Sequence, residues 1–371
     1  MSEPTEGRWQ RLARGEARGV GDRLAAAGLR GLSVAYGAAL KLHLAGYRLG
    51  LARRTRLPAL VVSIGNLTVG GTGKTTAAIA VAEWLAARGH RVAYLSRGYR
   101  GASELGVAIV SDGRGPLLDA AIAGDEPVLA ARQLPGIAVI VGKDRRRTGA
   151  LAIQKLKADA LVLDDGFQYQ RLCKDIEIVL VDVLNPFGYD CLVPRGLLRE
   201  PPRHLARADA VWITHSDLVR RSDRDAVISR VRELAPHALV WETVHLPVGL
   251  RRLDAEGDMA PASLRGRRVC ALSSVGNPLA FERTLQRLGA DLVAAVRFPD
   301  HHRYRQEELR ALADGPARAA DWIVTTEKDA VRLPAGPSAK PIWSLEVALA
   351  EAPEAPTLSE ELTCLLSQKK T

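Results

Sequence analysis

One stretch limits what this chain can fold into more than any other: residues 60–85, LVVSIGNLTVGGTGKTTAAIAVAEWL. Val61, Val62 and Ile64 form an apolar, β-branched run that breaks at Gly65-Asn66, and past a glycine-rich turn Ile79, Ala82 and Leu85 recur at helical spacing. Strand, loop and helix in that order put Gly70-Gly71-Thr72-Gly73-Lys74-Thr75 where a phosphate-binding loop works, with Thr68 at the position of its first glycine. Glycines let backbone N–H groups turn toward a polyphosphate, and the helix N-terminus adds its positive dipole end. Thr68, Val69, Gly70, Gly71, Thr72 and Gly73 would cradle the phosphates, Lys74 would reach the β- and γ-phosphates, and the Thr75 hydroxyl would ligate Mg²⁺.

Apolar runs at 91–96, 107–110, 137–141, 160–164, 176–182 and 210–214 read as further strands separated by helical patterns. Such alternation predicts an α/β fold: a doubly wound, mostly parallel sheet whose ligands gather at the carboxyl ends of its strands. The run at 160–164 ends in Asp164-Asp165-Gly166-Phe167-Gln168, and a carboxylate at a strand end is the metal-binding half of a nucleotide site. Gly124-Asp125-Glu126-Pro127 opens a helix at another strand end, and Arg199-Glu200 projects from a loop rich in proline and glycine.

From about residue 236 the texture shifts. Extended segments at 239–253 and 340–350 bracket a smaller α/β unit at 254–339, so the chain leaves the core at 58–238, crosses on one strand and returns on another. Within the smaller unit, Phe298-Pro299-Asp300-His301-His302 offers a catalytic base or a metal ligand. Two neighbouring histidines in an extended segment point opposite ways, which argues against one shared metal. The tail at 351–371 is expected to return to the core.

The excess of 52 Lys+Arg over 42 Asp+Glu, +10 in all, points to an anionic partner. Aromatic residues are only 5% of the chain, too few for a base-stacking platform, so nucleic acid is not expected. Cys173, Cys191, Cys270 and Cys364 have neither CxxC nor zinc spacing and read as reduced thiols. In the basic segment 1–57, Leu29, Leu32, Tyr36 and Leu40 recur at helical spacing among Arg30, Lys41, Arg48, Arg53, Arg54 and Arg56. Its longest uncharged run, 31–40, is about half the ~20 residues a spanning helix needs. A helix lying in the membrane interface and a helix packed on the core both fit this pattern.

Taken together, residues 63–75, Ser96-Arg97-Gly98-Tyr99, Gly124-Asp125-Glu126-Pro127, Asp164-Asp165-Gly166-Phe167-Gln168, residues 194–200, Phe298-Pro299-Asp300-His301-His302 and Thr326-Glu327-Lys328-Asp329 resemble the tetraacyldisaccharide 4′-kinase family, in order, over roughly 20–350. The resemblance implies ATP- and Mg²⁺-dependent phosphorylation of the 4′-hydroxyl of an acylated diglucosamine 1-phosphate lipid. It also implies a peripheral or monotopic location at the cytoplasmic face of the bacterial inner membrane, against anionic lipids. Position by position it gives Lys74, Thr75 and Gln168 to the nucleotide, and Thr75, Asp164, Asp165 and Glu200 to the metal. It makes Asp125 and His301 the base pair and puts Arg199 and Glu200 in the active-site loop. Tyr169 stands where the family continues with histidine. A rival of another class is a membrane-associated regulatory ATPase of the partitioning or metal-chaperone type, whose signature lysine would fall at Val69.

Overall fold

The computed structural model describes residues 8–98, 106–334, 336, 338–353 and 355–369; Tyr99 of the Ser96–Tyr99 motif lies outside them, as do residues 1–7 and 370–371 of the expected end segments. Among the described residues thirteen strands form one sheet. In chain order they are β1 (Leu60–Asn66), β2 (Val92–Ser96), β3 (Ala108–Ser111), β4 (Ala138–Val141), β5 (Ala160–Asp164), β6 (Ile176–Asp182), β7 (Ala210–Thr214), β8 (Leu239–Arg252), β9 (Asp258–Met259), β10 (Arg268–Ser273), β11 (Asp291–Arg297), β12 (Trp322–Thr326) and β13 (Ile342–Glu351). Their spatial order is β11-β10-β12-β13-β8-β7-β6-β1-β5-β2-β4-β3, with β9 on β8.

β1 lies parallel between β5 and β6, and helices cover both faces, which is why its residues from Val61 on are buried. Alternation along β1 feeds two cores: Val62 and Ile64 join Trp212 and Trp241 on one face, while Val61 joins Leu161 and Leu163 on the other. The mostly parallel order expected holds from β1 to β7 except at the edge, where β3 runs antiparallel to β4. A short apolar run carries no signal of strand direction, so this exception was not readable in advance.

β8 and β13 belong to both halves of the sheet. The first residues of β8 pair in parallel with β7, and its remainder pairs antiparallel with β13. The first residues of β13 in turn pair in parallel with β12. The smaller half has its own cores: Val269, Trp322 and Trp343 on one face, Cys270, Ile323 and Tyr304 on the other. The ladder between β8 and β13 is interrupted once, by a register shift between Glu346 and Val347.

Before the sheet comes a 29-residue helix, Val20–Arg48. Leu29, Tyr36 and Leu40 are half-buried and Ser33 and Leu44 buried, so this stripe packs against the core; Leu32 departs from the expected stripe, being 60% exposed. The opposite face is also apolar: Val20, Leu24 and Leu42 are each about seven-tenths exposed, and Ala27, Gly31, Ala35 and Ala38 lie between them. Arg23, Arg30, Lys41 and Arg48 flank that face on one side, at intervals of seven, eleven and seven residues.

Candidate active site

β1 delivers the phosphate loop to the mouth of a cleft between the two halves of the sheet. At its end Asn66, fully buried, donates to the Thr72 hydroxyl at 2.9 Å and so ties the strand to the loop. Gly73 has φ +85°, which turns the chain into the helix Lys74–Ala87. A Cβ there would lie 2.5 Å from the buried Nε2 of His245, so the loop fits against that imidazole only as glycine. His245 stacks on His215 at 4.4 Å, and burial with His215 alongside pushes it down to about 3; it is a neutral ring under the loop.

Two neighbouring carboxylates at the end of β5 are put to different uses. Asp164 accepts from Tyr94 Oη at 2.7 Å and from Thr75 Oγ1 at 3.2 Å; burial, with Asp165 and Glu126 nearby, raises its pKa. Asp165 is half-buried, and Lys74 and a bidentate Arg199, at 2.8 and 2.9 Å, hold it well below the usual carboxylate range. Lys74 itself is lowered by burial, with Asp165 opposing. Thr75 and Asp164 thus offer hard oxygen ligands side by side, which fits Mg²⁺; both Asp165 oxygens are already engaged by Arg199.

The smaller half closes the cleft from the other side. Backbone at Gly276 and Asn277 lies against Gly70 and Gly71, so close that a Cβ on Gly276 would sit 2.5 Å from the Gly71 nitrogen. Asn277 reaches across to Asp182 Oδ2 at 2.6 Å. His301, at φ +62°, places Nδ1 2.9 Å from Asp125 Oδ2, and Arg332 Nε lies 3.3 Å from the same oxygen. Beside them Lys328 pairs with Glu126 at 2.5 Å; Glu126 is held low by that ammonium against its burial, and Lys328 is held high by the carboxylate against its own. Asp125, Glu126 and His301 converge within 4.8 Å, close enough for a metal. Arg332 and Lys328 already place two positive charges on that cluster, so a dication would meet repulsion there. His301, Glu126, Asp300 and Lys328 line the cleft together with the phosphate loop, Asp164, Asp165 and Arg199, around about 460 Å³.

Some expected residues lie elsewhere. Glu200 does not face the metal position: it is 1% exposed, with its carboxylate 2.6 Å from His204 Nδ1 and 3.0 Å from Arg207, both of which hold it low against its burial. Adjacent residues on a loop diverge, and here only Arg199 turns inward. Gln168 does not line the cleft either; its amide donates to Asn66 O at 2.9 Å beneath the loop. His302 does point away from His301, though the cause is a turn closed by His302 N on Pro299 O and not an extended segment; it stacks on Phe298 and meets Glu308 at 2.9 Å. Tyr169 donates to Asp144 Oδ1 at 2.7 Å, at the start of the helix Arg145–Leu156. Tyr94, Arg332 and His245 were missed, since each reads as an ordinary strand or helix residue until the fold brings it to the loop.

Glu327 lines the same cleft and accepts from Val347 N at 3.1 Å, while burial, with Glu346 near, pushes it up to about 7. Its folded pKa lies above the unfolded value of 4.5, so the folded state holds the extra proton and stability falls as pH rises from there to about 7. Glu327→Gln cannot ionise. Its melting temperature relative to wild type is expected to climb by roughly a few degrees between pH 5 and pH 8; a difference that stays constant with pH would refute the assignment.

A phosphate loop, a strand-end carboxylate beside its threonine, and an imidazole that lines the cleft from the smaller half while paired with a carboxylate of the core half define a P-loop phosphotransferase. A family model described as tetraacyldisaccharide-1-P 4′-kinase matches residues 25–367, and the chain belongs to that family. A tetraacyldisaccharide 4′-kinase of Anaeromyxobacter dehalogenans strain 2CP-C is 50% identical over 80% of this chain and 78% of its own length. One of Geobacter sulfurreducens is 42% identical over 89% and 90%. The crystal structure of Aquifex aeolicus LpxK in complex with ATP superimposes with a TM-score of 0.68 at 29% identity, covering 91% of this chain and 97% of that one. Matches of this extent to one kinase family leave the regulatory ATPase reading without support.

Proposed function

We propose that this chain transfers the γ-phosphoryl group of ATP to the 4′-hydroxyl of an acylated diglucosamine 1-phosphate lipid, working at a membrane surface. One observation carries the reading: His301, from the smaller half, lines the cleft together with the phosphate loop and bonds Asp125 of the core half. An alcohol is a weak nucleophile, and the pair would take its proton as the phosphoryl group transfers. Lys74 and the loop amides would neutralise charge on the transferring group, with Lys328 facing them from the other half. Thr75 and Asp164 would hold Mg²⁺, which when bound offsets charge on the phosphate oxygens. Incubation with γ-labelled ATP and the disaccharide lipid should give a labelled lipid with one added phosphate. Label appearing only as free phosphate would overturn the reading.

The outward face of the helix Val20–Arg48 supports the membrane part: an exposed apolar strip with cations along its flank suits the interface of an anionic bilayer, here the cytoplasmic face of the inner membrane. No helix among the described residues is long and apolar enough to cross a bilayer. Substituting Leu24 and Leu42 together by Gln is expected to weaken partition onto anionic vesicles roughly tenfold or more while leaving ATP binding intact. Leu40→Ser, on the packed face, should instead lower the melting temperature. If the Leu24/Leu42 pair destabilises the fold without changing partition, the outward face is not the membrane face.

A further inference from the structure

The loop that carries Arg199 has little regular structure of its own, so its backbone groups must find partners elsewhere. On one side they find the phosphate loop. Arg199 N donates to Leu67 O and Val69 N donates to Leu197 O, both at 2.7 Å, and Thr68 bridges Leu198. On the other side they find the long N-terminal helix. Ser33, 9% exposed, donates from Oγ to Leu192 O at 2.8 Å and accepts Arg195 N at 3.1 Å. Tyr36 Oη donates to the carbonyl of Arg199 at 2.8 Å. In the preceding short helix Arg8–Arg14, Trp9 Nε1 adds a bond to Pro194 O at 2.9 Å.

The spacing matters. Ser33 and Tyr36 are three residues apart, on one face of the helix, and they hold the loop at positions seven residues apart, one of them the residue whose guanidinium clamps Asp165. Apolar packing alone would let the loop slide; hydrogen bonds to its main chain fix where it sits.

We propose that Ser33 and Tyr36 are positioning residues for the reaction: they brace the 192–199 loop from the helix that bears the outward apolar face, and so set the placement of Arg199 on Asp165. The inference rests on the kinase reading for its catalytic consequence. Its mechanical part stands apart from it.

Tyr36→Phe keeps the ring and removes the one hydroxyl. It is expected to lower kcat about threefold to tenfold, with the KM for ATP, the vesicle partition and the melting temperature little changed. In an Arg199→Ala background the same substitution should have no further effect, because the residue it acts through is gone. Equal losses in both backgrounds, or an unchanged kcat in the single variant, would overturn the proposal. Hydrogen exchange supplies a readout independent of activity: amides of 192–199 should exchange faster in Tyr36→Phe and in Ser33→Ala, while those of β1 stay protected. Unchanged exchange in that loop also overturns it. A wild-type protein that never labels the lipid would instead refute the kinase reading, and the exchange measurement would still decide whether the helix braces the loop.

Discussion

Lys74→Ala is expected to reduce phosphoryl transfer by about three orders of magnitude or more in a protein that still folds. The lysine sits at the mouth of a loop, its ammonium 3.9 Å from Asp165 and 3.4 Å from the Gly70 carbonyl, and it is no part of the sheet cores. What the substitution removes is charge placed where the transferring phosphoryl group becomes most anionic, the largest single contribution in such sites. Circular dichroism and the melting temperature should stay close to wild type. Turnover of a folded Lys74→Ala protein at the wild-type rate would rule out the loop as the nucleotide site.

The second large effect concerns the pair that spans the cleft. Asp125→Asn and His301→Ala should each lower kcat by roughly 10²–10⁴ while the KM for ATP changes little, since their expected task is the acceptor's proton. With Nδ1 of one 2.9 Å from Oδ2 of the other, they are expected to act as one unit, so the double variant should be only slightly worse than the poorer single. His302→Ala should do much less, because that ring is occupied with Phe298 and Glu308. Strictly multiplicative losses, or a His302 effect larger than that of His301, would show that the base pair is misassigned.

Features that depend on neighbours in sequence were readable in advance. The phosphate loop needs one strand, one turn and one helix in succession, and the acidic pair needs only an apolar run that stops, so both were visible as text. The α/β order of strands was visible for the same reason, to within a residue or two at most ends. Features that depend on which way a side chain leaves a loop were not. Arg199 and Glu200 look alike as candidates, yet one turns to Asp165 and the other to His204 and Arg207. The amphipathic helix shows the same limit: with apolar residues on both its faces, periodicity cannot tell the packed stripe from the exposed one. The partners that tune the site, Tyr94 on Asp164 and Arg332 on Asp125, come from 70 and 207 positions away in the chain, a distance no local pattern bridges.

The shared strands β8 and β13 make the join between the halves a stiff one. Two polypeptides threaded between lobes as loose cords would let them drift through many orientations, whereas a laddered ribbon behaves like a leaf spring, with a rest position and a restoring force. Its weakest point is the register shift at Glu346 and Val347, where the ladder bonds lapse and a strand bends most easily. The amide that follows that lapse is held by Glu327, next in sequence to the lysine that faces the phosphate loop. A bend there would shift the segment that carries the cleft-wall lysine, and a laddered join would leave the two halves less orientational freedom to surrender at every turnover than a flexible tether.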